Sequence, residues 1–224
     1  MRYRTKEDFV ADYLREAIIS GRFERGQRLK QAEIAAYLSL SITPVREAMK
    51  LLEAEGYVTR ESHHGAQVSA FDIDTSDDVV GLRVLLEERL VRAAILRLTD
   101  GDIAELNALE DEFESAISSG DRMLMRGINY RFHRHLYELA QQPQTLHFVQ
   151  VLWAKYPFDV INTLQGRAQR AGLEHRQLLT YLVSGDVDSA AQAVRAHIEE
   201  GWAELREHLR SDSAQQTPSG ARNP

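Results

Sequence analysis

Cysteine is absent from the 224-residue chain, which excludes disulfide bonds, thiolate metal ligands and a cysteine nucleophile. Long apolar runs are missing as well, since no stretch approaches the roughly 20 residues that a membrane-spanning helix needs. The N-terminal stretch MRYRTKEDFVADYL lacks the apolar centre of a signal peptide. These absences lead us to expect a cytoplasmic protein that does not associate with membranes.

The net charge of −7 by itself argues against nucleic-acid binding, but the charge is unevenly distributed. Residues 1–70 hold 11 Lys and Arg against 10 Asp and Glu, a net charge of +1. Residues 71–224 hold 16 against 24, a net charge of −8. A near-neutral first part beside an acidic second part predicts two modules with different partners, so the overall charge does not exclude DNA binding.

Hydrophobic periodicity divides the chain into two modules and a tail. Residues 1–72 show three helical patterns, a turn at FERGQRL and two short strands around a turn at Gly65. Residues 73–210 contain six helical segments without strand signals, which predicts an all-α helical bundle. Residues 211–224 are polar and contain Pro and Gly, which predicts a disordered tail. The expected fold class is therefore mainly α.

The third helix, in the stretch LSLSITPVREAMKLLEAEGYV, has the features of a recognition helix. Ser41 or Thr43 can cap its first amides, and Pro44 fits the first turn, where its missing N–H costs nothing. Apolar residues recur at helical spacing, which leaves Thr43, Arg46 and Lys50 exposed. Helix, short helix, turn, helix and hairpin is the element order of a winged helix-turn-helix. The alternative is a generic three-helix bundle in which Arg46 is a solvated charge.

Specific stretches favour the DNA-binding interpretation. ISGRFERGQRL, SLSITPVREAMKLLEAEGYV and HHGAQVSAF strongly resemble the winged-helix domain of GntR-family bacterial transcription regulators. GLRVLLEERLVRAA, NYRFHRHLYELA, EHRQLLTYLVSGD and AVRAHI resemble the effector domain, called FCD, of the FadR-type branch of that family. The resemblance covers about residues 5–210. It implies a homodimer that binds double-stranded DNA at a palindromic operator.

The resemblance assigns DNA binding to Thr43, Pro44, Arg46, Lys50 and Gly65. Arg46 matches the family's arginine that reaches a guanine edge, and a bidentate pair of this kind gives roughly 1–3 kcal/mol of discrimination. Thr43 and Lys50 would hold phosphates, and Gly65 at the wing tip would allow close approach to the minor groove.

Three positions depart from the family pattern. Arginine is common where this chain has Ala32 and Ile42, and glycine is common where it has Ser39. Two side chains that read bases are therefore missing, so the operator is expected to differ from the usual one. His63 and His64, at the hairpin tip, are expected to be exposed turn residues.

Three histidines of the second module point toward its apolar interior. Asn129 and His133 are four residues apart, on the same side of one helix, and His175 and His197 lie on the apolar faces of two later helices. Converging neutral imidazoles bind Zn, Ni or another divalent ion well, whereas three separately hydrogen-bonded core histidines are the simpler alternative. Metal-binding members of the resembling branch use Asp or Asn, then His four residues later, then two later His. Aspartate is commoner than asparagine at the position of Asn129. The neutral amide would lower the affinity of the site for the metal ion or favour the binding of an anionic ligand.

Arg83 and Arg126 are the candidate effector-binding residues. Arg83 lies on an apolar helix face and needs an anionic partner, which Glu87 one turn later can supply. In the resembling family such an arginine often faces the ligand pocket, where with a metal it would suit a small carboxylic acid. Arg126 lies on the His133 side of its helix and is the second candidate.

The resulting hypothesis is a dimeric transcription regulator, with repression as the expected sign, that responds to an organic acid bound beside a metal. A metal-dependent enzyme is disfavoured because no H-E-x-x-H, Gly-rich phosphate loop or serine nucleophile motif occurs. A metalloregulator, for which the metal itself is the signal, stays open as an interpretation. So does a metal-free sensor of acyl-CoA or another small molecule.

Overall fold

The computed structural model describes residues 5–61, 65–161, 164 and 166–215. The first module contains α1 (Lys6–Ile19), β1 (Arg28–Leu29), α2 (Gln31–Tyr37), α3 (Ile42–Glu55), β2 (Val58–Glu61) and β3 (Gly65–Val68). The second contains α4 (Ser76–Ala94), α5 (Asp100–Ser119), α6 (Arg122–Glu138), α7 (Pro143–Ala154), α8 (Phe158–Ile161), α9 (Arg167–Ser184) and α10 (Val187–Gln215). A winged helix-turn-helix followed by an all-α bundle is confirmed.

Local residues set the ends of the helices in the first module. Thr5 and Asp8 form a capping box at the start of α1, in which Thr5 Oγ1 accepts a hydrogen bond from the Asp8 N–H at 3.1 Å. The N-cap of α3 is Ser41, but its side chain makes no capping hydrogen bond. Gly56 ends α3 with a φ of 88°, in the left-handed region that favours glycine. The buried side chains between α1 and α3 include Val10, Leu14, Val45, Met49 and Leu52.

The wing is a three-stranded antiparallel sheet with the strand order β1-β3-β2. Val58 of β2 pairs with Val68 of β3, and Arg28 of β1 pairs with Gln67 on the other side of β3. The predicted two-stranded hairpin was therefore incomplete, because the stretch FERGQRL contains β1 as well as its turn. A two-residue strand shows no alternation of apolar and polar residues, so periodicity could not detect it.

Helix α6 has a central position in the second module. It packs against α4, α5 and α7, and also against α1 of the first module. Around it, α4 packs against α10 and α5 packs against α9. The most deeply buried side chains of this bundle include Leu90, Leu106, Phe132, Leu136, Ile198 and Leu205. Helix α6 thus lies between the interior of the bundle and the first module.

Helix α10 continues through Gln215, so the prediction of a disordered tail from residue 211 is wrong for residues 211–215. This stretch contains neither Pro nor Gly, and adding a residue to an existing helix avoids the cost of a new nucleus. Residues 216–224, the rest of the predicted tail, lie outside the described residues. Within the described ranges, no helix has the length and apolar character needed to cross a bilayer.

Candidate metal centre and DNA-binding surface

One face of α3 presents polar and charged side chains to solvent. Thr43 is exposed, and the side chains of Arg46 and Lys50 are 53% and 55% exposed. The Glu47 carboxylate lies between the two cations, 3.4 Å from Arg46 Nε and 3.0 Å from Lys50 Nζ. Pro44, in contrast, is buried, and its assignment to the DNA contacts stays a prediction. It shapes the start of α3, whose exposed cations face outward.

Gly65 begins β3 and pairs with Glu61 of β2, next to the tip of the wing. The approach of this glycine to the minor groove stays a prediction. His63 and His64, which were expected to be exposed turn residues, lie outside the described residues.

The departures from the family pattern also lie on this surface. Ser39, in the turn between α2 and α3, has a φ of 55°, a left-handed conformation that glycine adopts without strain. That conformation explains why glycine is common at this position in the family that the sequence resembles. Ala32 and Ile42 are exposed, so two uncharged side chains stand where arginine is common.

Three histidines meet inside the second module, among the described residues. His133 on α6, His175 on α9 and His197 on α10 each offer one ring nitrogen, and these nitrogens all lie within 4.8 Å of one another. The Nε2 atoms of His133 and His175 are 3.2 Å apart. Zn–N bonds of about 2.0–2.1 Å would allow one ion to reach both of these nitrogens. The structure thus brings together the histidines that periodicity had placed on three apolar faces.

Two of the histidines are oriented by glutamates. His175 Nδ1 lies 2.8 Å from Glu110 Oε2, and His197 Nδ1 lies 2.6 Å from Glu174 Oε2. A proton on His197 Nδ1 donates to the ionised Glu174 and leaves the Nε2 lone pair of His197 available. His175 Nδ1 donates to Glu110 in the same way when that carboxyl group is ionised. Metal-binding histidines usually have such a partner on the nitrogen that does not bind the metal.

The third histidine is held by a chain of buried hydrogen bonds. His133 Nδ1 lies 3.4 Å from the Tyr137 hydroxyl, which donates to Glu87 Oε2 at 2.7 Å. Glu87 Oε1 accepts a second hydrogen bond from Trp153 Nε1 at 3.0 Å. With Nδ1 directed at Tyr137, the Nε2 lone pair of His133 faces that of His175, an arrangement that a bound cation would stabilise.

Burial lowers the pKa of His133 and His175 well below its usual value, and the neighbouring His197 lowers it further. Both imidazoles are therefore neutral at pH 7. Neutral imidazole is the form that binds a metal ion, because a protonated ring has no free lone pair.

The two glutamates are in different electrostatic environments. Burial raises the pKa of Glu110 to about 8, and its Oε1 has no hydrogen-bond partner in the described part of the chain. Burial also acts to raise the pKa of Glu174, but hydrogen bonds from Arg167 and His197 outweigh it and lower the pKa to about 2. A cation bound through His175 would favour the ionised form of Glu110, since opposite charges stabilise each other.

Two small cavities adjoin the histidines. Both are lined by Arg83, Asn129, Phe158 and His197, and their volumes are about 30 and 20 Å³. A water molecule needs roughly 10–15 Å³ of such space, so the cavities accommodate only a few small groups. Asn129, one turn before the histidine of α6, therefore borders open space beside the candidate metal centre.

Arg83 is buried and interacts with Glu87 and with two aromatic rings, those of Tyr156 and Phe158. Its Nε donates to Glu87 Oε1 at 2.7 Å. Glu87 was the anionic partner that the sequence predicted for Arg83. The guanidinium carbon also lies 4.3 Å from the centre of the Tyr156 ring, within range of a cation–π interaction. Arg83 also lines both cavities. It can therefore form the ion pair with Glu87 and still face a ligand bound there.

Arg126 does not line these cavities, and its assignment as an effector-binding residue stays a prediction that they do not support. Its Nε donates to the carbonyl of Arg122 at 3.2 Å, and its guanidinium lies against Gly21, just after α1. Periodicity placed Arg126 on the His133 side of α6, but two turns away along the axis, where α6 meets the first module. Besides Arg83, the arginine that lines one of these two cavities is Arg167.

Sequence reasoning missed the charged groups around the histidines. Glu110 is an acid on the buried face of α5, among Leu106 and Phe113, and this is a signal that periodicity can detect. Arg167 donates to both oxygens of Glu174, at 2.7 and 2.6 Å, from a position seven residues earlier. Sequence spacing gives no such signal for this pair, because ion pairs along one helix are expected three or four residues apart.

Comparison with known proteins agrees with this architecture. Residues 6–68 match the model of the bacterial regulatory proteins, gntR family, and residues 78–200 match the FCD domain. The chain is 31% identical over 194 residues to the Nta operon transcriptional regulator of Aminobacter aminovorans, covering 86% of this chain and 90% of that protein. It is 27% identical over 208 residues to the HTH-type transcriptional regulator YdhC of Bacillus subtilis, covering 88% and 89%.

A solved structure has the same fold. E. coli McbR/YncC superposes with a TM-score of 0.78 over 92% of this chain and 100% of that one, at 23% sequence identity. The family matches span both modules, and the similar proteins are named as transcriptional regulators. The chain therefore belongs to the GntR family of bacterial regulatory proteins, with an FCD domain after its winged helix, and it is a DNA-binding transcription regulator, not an enzyme.

Proposed function

We propose that the chain is a homodimeric, cytoplasmic repressor whose binding to a palindromic operator is modulated by a small organic acid. The acid binds beside a divalent metal in the second module. The observation that supports this most directly is the meeting of three histidines, two of which have Nδ1 atoms within 3 Å of buried or half-buried glutamates. Such an arrangement is typical of a metal site and is unnecessary for three independent core residues.

The metal is Zn or Ni, bound by His133, His175 and His197, with Asn129 as the candidate fourth ligand. Neutral imidazole suits both ions, and three protein ligands leave coordination positions for a ligand from solution. An amide oxygen from Asn129 is neutral, so the site keeps more positive charge than it would with aspartate. That charge favours an anionic effector.

The effector is a small carboxylate that would bind between the metal and the buried arginines. Arg83 and Arg167 both line the larger cavity together with His197. Arg83 is paired with Glu87, and Arg167 is paired with Glu174 and Glu204, so the ion itself supplies the excess positive charge. One carboxylate oxygen on the metal and the other on a guanidinium would use the geometry that arginine offers to carboxylates.

Cavity size distinguishes this proposal from a metal-free acyl-CoA sensor. Pockets for drug-sized ligands measure roughly 300–1,000 Å³, far more than the cavities of about 30 and 20 Å³ beside the histidines. An acyl chain would require the helices of the bundle to separate, whereas a few-atom acid would mainly replace water. A metalloregulator stays possible as a second candidate, because the histidine cluster supports it equally.

Repression is proposed from the similarity to a named repressor. The chain is 26% identical over 194 residues to the probable D-xylose utilization operon transcriptional repressor of Paenarthrobacter nicotinovorans, covering 84% of each protein. In a repressor, the acid would lower operator affinity by changing the relative position of the two DNA-binding modules. A ligand can do this only if it binds more tightly to one arrangement than to the other.

The dimer interface is proposed on α4 and α7. Leu82 and Leu85 on α4 and Phe148 on α7 are exposed apolar residues on two helices that pack together. We expect Leu85→Glu to convert the dimer to monomers, because it places a charge on a side chain that is 62% exposed and would be covered by the second copy. Light scattering after size exclusion measures the mass. Leu173→Glu, at a 73% exposed position on α9, should stay dimeric, and a dimeric Leu85→Glu would exclude this face.

The effector role is tested by measuring operator binding with small carboxylates. Labelled DNA from the region upstream of the gene is titrated by fluorescence anisotropy with zinc-loaded and chelator-treated protein. We expect one of the acids to lower the operator affinity of the loaded protein by about tenfold, a typical coupling of roughly 1.4 kcal/mol. The chelated protein should not respond, because the acid then lacks its metal contact.

Matched ligands and a variant control this experiment. The amide of the active acid should have no effect, since it carries no negative charge. His197→Ala should bind the operator without responding to the acid. If zinc alone changes operator affinity and no acid adds to the change, the protein is a metalloregulator. A response of equal size in the chelated protein would contradict the metal–carboxylate site.

A further inference from the structure

Helix α6 has two faces with different neighbours. Asn129 and His133 border the smaller cavity, which Tyr130 and Ile19 of α1 also line. The residues that follow each of them, Tyr130 and Arg134, contact Asp12 on α1 of the first module. Arg134 forms an ion pair with Asp12, and the Tyr130 hydroxyl donates to Asp12 Oδ1 at 3.3 Å. One helix therefore joins the candidate metal centre to the DNA-binding module.

This contact between the modules is buried. Asp12, Tyr130 and Arg134 are only 4%, 3% and 8% exposed. Arg134 also pairs with Glu138 on its own helix at 3.0 Å, but separating it from Asp12 takes the nearest cation away from a buried carboxylate, which is unfavourable. A small rotation or shift of α6 is therefore expected to move α1 with it, because the alternative is to break the ion pair.

The charged contacts continue from α1 to the recognition helix. Arg15, one turn after Asp12, has its Nη1 3.9 Å from Asp12 Oδ1. Its guanidinium donates to both oxygens of Glu55, at 2.8 and 2.7 Å. Glu55 is buried and is the last residue of α3. A continuous set of buried charges thus extends from the residue beside a candidate metal ligand to the end of α3.

We propose that the Asp12–Arg134 pair transmits occupancy of the metal centre to the recognition helix. This inference rests on the proposed metal site. An ion bound by His133 fixes the rotation of α6 about its axis, and Arg134 shares that rotation as the next residue. Asp12 and Arg15 then relay the position of α6 to Glu55, which sets how α3 is presented to DNA.

Asp12→Asn tests the coupling, because it removes the charge and keeps the shape of the side chain. The operator affinity of wild type and variant is measured with zinc alone and with chelator, and zinc per chain is measured on the same samples. We expect zinc to change the wild-type operator affinity by about fivefold or more, the lower end of typical coupling between sites. In Asp12→Asn the change should fall below about twofold, with zinc content unchanged.

Glu16→Gln is the matched control. Glu16 is also an acid on α1 that faces an arginine of α6, Arg131 at 3.8 Å, but both side chains are 39% exposed. Exposed ion pairs contribute little, so this variant should respond to zinc as wild type does.

The outcomes separate the coupling from the metal site. A full zinc response in Asp12→Asn would overturn the inference. Loss of operator binding by Asp12→Asn both with and without zinc would also overturn it, because Asp12 would then support only the DNA-binding fold. Zinc bound by wild type without any change in operator affinity would exclude the coupling and leave the metal site intact. A wild-type chain that binds no zinc would instead contradict the proposed function.

Discussion

Replacing His175 with alanine should leave the purified protein without bound metal. His175 is buried, and its Nε2 lies 3.2 Å from that of His133, so alanine removes a ligand from the centre of the cluster. The two imidazoles that remain, with or without the Asn129 amide, offer too few strong ligands to retain an ion during purification. We expect wild type to contain nearly one ion per chain and His175→Ala almost none.

Metal content is measured by mass spectrometry on untagged protein purified without chelator. His147→Ala is the matched control, because His147 lies on α7 outside the cluster and its side chain is half exposed. This variant should keep the wild-type metal content. Equal metal in wild type and His175→Ala would show that the ion binds elsewhere.

Thermal stability gives a second readout that is independent of purification. A ligand at 100 times its dissociation constant stabilises the folded state by about 2.7 kcal/mol, so added zinc should raise the melting temperature of wild type. His175 also stacks on Phe132, with ring centres 4.6 Å apart, so the alanine variant loses some stability for structural reasons. The comparison therefore uses the increase caused by zinc within each protein. If zinc does not raise the melting temperature of wild type and the purified protein contains no metal, the histidines are ordinary core residues. That result would favour a metal-free sensor.

Replacing Arg46 with alanine should remove most of the specificity of operator binding without affecting the fold. The Arg46 side chain is 53% exposed on α3, and its contact with Glu47 is a long one, at 3.4 Å. The folded state therefore depends little on it. A lost bidentate contact to guanine reduces affinity by roughly 1–3 kcal/mol, which corresponds to about 5- to 150-fold.

The variant is compared with wild type on the upstream DNA and on DNA of scrambled sequence, at fixed salt. Arg46→Ala should bind both DNAs with similar, weak affinity, because phosphate contacts such as that proposed for Lys50 are kept. Arg92→Ala is the control, since Arg92 is an exposed arginine of α4 that pairs with Asp188. It should bind like wild type. Unchanged operator binding by Arg46→Ala would contradict the DNA-binding role assigned to α3.

The recognition helix was predictable because its determinants are local. A proline in the first turn, apolar residues at helical spacing and a terminal glycine are each recognised within a few residues of chain. The same reasoning failed for β1, which exists because β3 offers an edge to pair with. It also did not reveal that Pro44 is buried, because local pattern does not tell which side of the first turn other residues cover.

The second module shows where periodicity stops being informative. Its repeat gives the direction of each side chain around its own helix, so it placed His133, His175 and His197 on inward faces. The hydrophobic repeat does not indicate at which level along the helix axis a side chain meets the neighbouring helices. Arg126 illustrates this limit, since it shares the His133 side of α6 but lies beside Gly21 of the first module.

The sequence by itself determined the mainly α fold, the order of the two modules, the exposed cations of α3 and the candidate metal ligands. Each of these depends on the spacing of residues along one element or on the resemblance of short stretches to a known family. Only the tertiary structure decided which groups surround the histidines, namely Glu110, Glu174 and the Tyr137–Glu87 pair. It alone revealed the buried Asp12–Arg134 contact, whose partners are 122 residues apart. Such contacts arise from the packing of distant helices, and packing depends on shape complementarity that no single segment encodes.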